Sequence, residues 1–244
     1  MAVASTNLNA LEIVGVNVAG RVHDVTLRLA PGTMAGLVGP NGSGKSTLLQ
    51  VAAGLLPTDG SVCWGGRPLA GIPVLERGQR AAWVPQEARF EFGFTVRSVV
   101  AQGRFAHGDD FVGVDAALAR FELTALAHRP VNRLSGGERH RVLLARALAT
   151  QAPLQLWDEP LGPLDPRHAL KVLGLGRELA HAGGTLLFSL HDLRVAQRCD
   201  VVVVMHEGHI RAAGAPAEVL TAELLSEVFG IRARTVPGWQ LELP

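Results

Sequence analysis

Val25 to Leu29 alternates apolar and polar residues, the period-two pattern of a strand with one face buried. Ala30 to Gly32 reads as a turn, and Met34 to Val38 as a short apolar strand. A glycine-rich loop follows, then a helix over Lys45 to Ala53 that stops at Gly54. Ser61 to Trp64 and Ala82 to Val84 complete a first third built mainly of strands. The middle, residues 87–149, changes period. Val96 to Gln102, Val114 to His128 and Glu138 to Ala149 carry apolar residues at helical spacing, with loops between them. Strands and helices then alternate: Leu154 to Trp157 (strand), Pro166 to His181 (helix), Thr185 to Leu190 (strand), Asp192 to Arg198 (helix), Val201 to Met205 (strand). Strands separated by helices indicate βαβ units and a mostly parallel sheet. The pattern therefore predicts an α/β core over 1–86 and 150–244, interrupted by a helical subdomain at 87–149.

Composition narrows the class. Hydrophobic residues make up 48% of 244 residues, enough for a packed core and incompatible with a disordered chain. With 23 basic against 22 acidic residues there is no one-sided basic footprint, which argues against nucleic acid as a partner. Cys63 and Cys199 match no metal-ligand spacing and read as reduced thiols. Met1 to Ala10 lacks the basic head and apolar stretch of a signal peptide, and Val201 to Met205 is too short to span a bilayer. Of the 23 basic residues only Lys45 and Lys171 are lysines, and tyrosine is absent.

Gly39-Pro40-Asn41-Gly42-Ser43-Gly44-Lys45-Ser46 fits G-x-x-x-x-G-K-[ST], between an apolar strand and a helix. Glycines let consecutive N–H groups curl toward a phosphate, and the helix N-terminus adds partial positive charge. Lys45 is expected on the β- and γ-phosphates of ATP or GTP, Ser46 on Mg²⁺, with Thr47 completing the cradle. In an arginine-rich chain, a lysine here is informative because this position needs a compact point charge. Downstream, the strand Leu154 to Trp157 runs into Asp158 and Glu159. Asp158 is placed to hold Mg²⁺ through water, and Glu159 to polarise an attacking water as general base. Gln155 interrupts the apolar run and weakens the strand pattern without touching that chemistry.

Leu134-Ser135-Gly136-Gly137-Glu138, lying between those two sites, resembles the signature motif of the ABC ATPase superfamily, and residues 139–148 continue the likeness. On residue grounds alone, Ser135 with two glycines opening a helix is another anion cradle or an ordinary Ser cap. Gln86 resembles the Q-loop glutamine, which contacts Mg²⁺ or water. Asp165 resembles the D-loop aspartate, although the preceding Gly162-Pro163 is less usual, and His191 resembles the switch histidine on the γ-phosphate. The resemblance spans residues 11–230. It implies a P-loop NTPase (RecA-like) core with a mostly parallel sheet, an N-terminal antiparallel β-subdomain and the inserted helical subdomain.

One family element is missing. An aromatic that stacks on adenine is usual upstream of the loop lysine, yet Ala10 to Val38 holds no aromatic residue and the stretch Val16 to His23 looks shortened. Val18, Arg21 or His23 are the candidates to face the base.

The resemblance further implies an ATPase using ATP and Mg²⁺ whose site is completed by a second copy of the chain, a homodimer. It implies two transmembrane permease subunits, an extracytoplasmic substrate-binding protein, and a peripheral position on the cytoplasmic face of the bacterial inner membrane. Thr95 to His107 and Ala215 to Gly230 resemble segments of importers for ferric siderophores, cobalamin and haem. The cargo expected is an iron-siderophore or cobalamin, with haem third. An ABC subunit for an unrelated cargo is the alternative within the family, and two rivals stand outside this reading. A P-loop phosphotransferase would share Gly39 to Ser46 but not need Leu134 to Glu138. A non-transport ABC ATPase would carry coiled-coil insertions or basic extensions, and none is seen.

Overall fold

A computed structural model describes residues 9–87 and 90–232. Most of the segment read against a signal peptide, residues 1–8, lies outside the described residues, as do 88–89 at the start of the helical stretch.

The strands, in chain order, are β1 (Leu11–Val18), β2 (Val22–Leu29), β3 (Met34–Val38), β4 (Asp59–Trp64), β5 (Arg67–Pro68), β6 (Ala81–Val84), β7 (Leu154–Trp157), β8 (Thr185–Ser189), β9 (Val201–His206) and β10 (His209–Gly214). They form two sheets. One is antiparallel, in the order β2-β1-β4-β5; the other has six strands in the order β10-β9-β3-β8-β7-β6, parallel except for β10 on β9. The helices are α1 (Lys45–Ala52), α2 (Val74–Arg80), α3 (Val96–Ala101), α4 (Val114–Arg120), α5 (Gly136–Ala149), α6 (Pro166–His181), α7 (Leu193–Ala196), α8 (Pro216–Val219) and α9 (Ala222–Phe229).

β3, β7 and β8 are buried along their whole length, which is why they read as near-continuous apolar runs. Alternation still sorts their side chains between two cores. Leu37, Leu156, Leu187, Val203 and Met205 join α1 and the antiparallel sheet. Val38, Trp157, Phe188, Val202 and Val204 face the other way, toward α3, α4, α5 and α6. β3 thus sits inside the sheet, and the loop at its C-terminal end opens where the connections leave in opposite directions.

Several elements differ from the sequence pattern. The helix expected over Val114 to His128 ends at Arg120. Glu122 takes φ 55, Leu123 N–H donates to Leu118 O (2.8 Å) and Glu122 N–H to Ala119 O (3.1 Å), a Schellman stop without glycine. The turn buries Leu123 completely and aims Glu122 at α6. β1, β10, α2, α8 and α9 were not distinguished from sequence, and the helix expected over Asp192 to Arg198 is the single turn α7 capped by Asp192. The helix from Val96 continues past Gln102 as a 3₁₀ stretch to His107. Gln155 belongs to β7 after all: its Nε2 donates to Ala152 O (2.8 Å) and its Oε1 accepts from Trp157 Nε1 (3.0 Å), so both ends are satisfied in the core. Among the described residues no helix is long and apolar enough to cross a membrane.

Glu122 ties the helical stretch to α6. Its carboxylate takes Lys171, Arg167 (2.9 Å) and His168 (3.3 Å), and Arg120 pairs with Glu178 alongside. Lys171, then Arg167, hold the Glu122 carboxyl down to about 2. A carboxyl depressed by folding stabilises above its unfolded pKa and loses that contribution as pH falls through the folded value. Glu122→Gln is therefore expected to lower Tm by roughly 1–3 °C at pH 7 in low salt. In thermal melts against pH, the difference should shrink from about pH 4.5 downward and vanish near 2.

Candidate active site

The loop between β3 and α1 owes its shape to close backbone contacts. A Cβ on Gly39 would lie 2.2 Å from Met205 O, and one on Gly44, where φ is 100, would lie 2.7 Å from Arg21 O. Only glycine fits at either place. The first N–H groups of α1, on Lys45, Ser46 and Thr47, have no backbone acceptor among the described residues. The Ser43 hydroxyl is buried without a partner among the described residues. These unfilled donors, in a loop that admits no side chain at Gly39 or Gly44, fit a bound polyphosphate.

Lys45 is 6% exposed, and its Nζ donates to Gly39 O (2.8 Å) and Pro40 O (2.9 Å). Burial lowers the ammonium below its ordinary pKa, while Glu159 and then Asp158 pull it back up. Gly39 and Pro40 thus serve through their carbonyls, behind the cleft surface.

Asp158 is 3% exposed and accepts from Ser189 Oγ at 2.6 Å. The same Ser189 oxygen accepts from the backbone N–H of Glu159 at 2.7 Å. One hydroxyl at the end of β8 therefore fixes both carboxylate positions at the end of β7. Glu159 adopts φ 48, which turns its side chain toward His191, and Oε1 meets His191 Nε2 at 2.7 Å. The second carboxylate oxygen, Oε2, takes no hydrogen bond among the described residues.

Asn41 to Thr47, Gln86, Glu159 and His191 line one cleft of about 780 Å³, joined by Gly20 and Arg21 from the β1–β2 turn. Ser135, Gly136, Gly137 and Asp165 do not line it. Ser135 caps α5 in a capping box: its Oγ accepts from Glu138 N–H (3.2 Å), and its own N–H donates to Glu138 Oε2 (2.7 Å). Asp165 caps α6 and contacts His168 Nδ1 at 2.8 Å. The two caps are neighbours, since a Cβ on Gly137 would lie 3.1 Å from Pro163 O. A family model described as ABC transporter matches residues 22–162. The chain belongs to the ABC transporter family.

The likeness extends beyond the matched segment. The chain is 42% identical over 235 residues to the cobalamin import ATP-binding protein of Halobacterium salinarum, covering 91% of this chain and 59% of that protein. It is 44% identical over 224 residues to the hemin import ATP-binding protein of Thermobifida fusca, covering 88% and 78%. Among solved structures, the ATP-binding subunit of an ABC transporter superposes with a TM-score of 0.79 at 27% identity, covering 92% and 95%. The chain thus spans about three-fifths of the length of the cobalamin relative.

Two residues of this ABC cassette were missed from sequence. Ser189 closes an apolar strand two residues before His191, and a lone hydroxyl at the end of a buried strand was its only signal. His140 lies 1% exposed on α5, and its Nε2 must carry the proton because its partner at 3.0 Å is the carbonyl of Pro160. It anchors the helix capped by Ser135 to the backbone directly after Glu159. Ser189→Ala leaves Asp158 and the Glu159 N–H each short of a partner. It is expected to cost about 1–3 kcal/mol, measured as the fall in unfolding free energy in denaturant titrations.

Proposed function

We propose that this chain is the ATP-binding and ATP-hydrolysing subunit that energises import by an ABC transporter. The observation that carries the reading is the Glu159–His191 contact in the same cleft as Lys45 and the open loop amides. The open backbone N–H groups of Lys45, Ser46 and Thr47 bind the phosphates, in a cleft lined by Asn41 to Thr47, and the Lys45 ammonium neutralises the β- and γ-phosphates. Ser46 and Gln86, with Asp158 through water, would hold Mg²⁺, whose charge offsets that of the phosphate oxygens. The Glu159 carboxylate accepts a proton from water as that water's oxygen bonds to the γ-phosphorus and ADP leaves. His191 holds one oxygen of Glu159 and leaves the other to take the proton.

Ser135, Gly136, Gly137 and Asp165 lie outside this cleft, which supports a C₂ homodimer in which each copy's α5 cap closes over its partner's triphosphate. Two permease subunits and an extracytoplasmic binding protein complete the importer, with this chain peripheral on the cytoplasmic face of the membrane. The named relatives, ATP-binding proteins of cobalamin and hemin import, favour a cobalamin or haem cargo over a siderophore.

Glu159→Gln is expected to cut hydrolysis by about 10²–10⁴ while nucleotide still binds, measured by phosphate release beside calorimetry. Wild-type turnover in that variant would remove Glu159 as the base. Ser135→Arg should bind nucleotide as a monomer and fail to dimerise in the presence of ATP, read by light scattering.

A further inference from the structure

We propose that the Arg21 guanidinium is the face on which the purine base of the bound nucleotide stacks. This rests on the nucleotide reading above and adds its base subsite.

The sheet order gives the cleft a direction. Gln86, Glu159 and His191 follow β6, β7 and β8, all on one side of β3. They act on the terminal phosphate, so a nucleotide gripped by Lys45 extends its base toward the other side, where β9 and β10 lie. Arg21 is on that side. Its carbonyl lies against Gly44 and Gly208, with Cβ positions there 2.7 and 2.8 Å away, and Gly208 N–H donates to Ser43 O at 3.1 Å. The turn carrying Arg21 is thus locked between the start of α1 and the β9–β10 turn.

The side chain itself is unspent. Arg21 is exposed and lines the cleft, and its guanidinium has no hydrogen-bond or ion-pair partner among the described residues. The other two candidates are placed elsewhere. Val18 and His23 do not line the cleft, and the His23 ring lies 5.2 Å from that of His209. The only ring in the lining, His191, is bound to Glu159 on the hydrolytic side. Arg21 therefore carries the one guanidinium in the lining, and it stands at the base end. A guanidinium is flat, weakly hydrated and stacks on aromatic faces; an ammonium offers the charge without the plane. Stacking reads the face of a base and not its edge, so ATP and GTP should bind with similar affinity.

Binding is measured by calorimetry in the Glu159→Gln background, with ATP, GTP and inorganic tripolyphosphate as ligands. Arg21→Ala is expected to weaken ATP and GTP about 5- to 100-fold and leave tripolyphosphate unchanged. Arg21→Tyr should restore the affinity and Arg21→Lys should not. Equal losses for tripolyphosphate, or full retention by the lysine variant, would make Arg21 a phosphate contact and overturn the proposal. So would unchanged ATP affinity in Arg21→Ala. If the parent protein binds tripolyphosphate but no nucleotide, the base subsite falls. If it binds none of the three, the nucleotide reading falls and the subsite with it.

Discussion

A lysine ammonium that is 6% exposed must have its charge met locally, because burial without compensation would deprotonate it. Here the compensation comes from two directions. The carbonyls of Gly39 and Pro40 accept directly, and the carboxylates of Glu159 and Asp158 supply opposite charge. That arrangement requires the loop after β3 to fold back on itself and the end of β7 to stand close by. The parallel sheet provides the second condition, with only β8 between β3 and β7. Ser189 at the end of β8 then fastens Asp158 and Glu159 in place.

The same sheet order gives the cleft two distinct sides. Gln86, Glu159 and His191 follow the strands on the β6, β7 and β8 side, and the two turns flanking Gly44 and Gly208 leave on the other. The backbone oxygens of Met205 and Arg21 press against Gly39 and Gly44 and hold the loop to the β1–β2 turn and the end of β9.

The helical stretch is attached to the α/β core at points that matter to the site. His140 bonds to Pro160, next to Glu159, and Glu122 gathers Arg167, His168 and Lys171 from α6, whose cap is Asp165. The first link is buried and rigid. The second is exposed and ionic, weaker and sensitive to salt.

The period-two and helical patterns, the glycine-rich loop with Lys45 and the paired Asp158 and Glu159 were legible along the chain because each is local. Spacing and residue type suffice for a strand, a cradle or a cap. The stop of α4 at Arg120 was not legible, since Glu122 occupies a left-handed position without glycine and is held by charges about fifty residues away. Neither were Ser189 and His140, whose partners are distant in sequence or backbone carbonyls that no side-chain pattern encodes. Which of Val18, Arg21 and His23 reaches the cleft was left open by their proximity in sequence. Only the packing of the β1–β2 turn against Gly44 and Gly208 decided it, because a contact between two turns depends on how the two sheets meet.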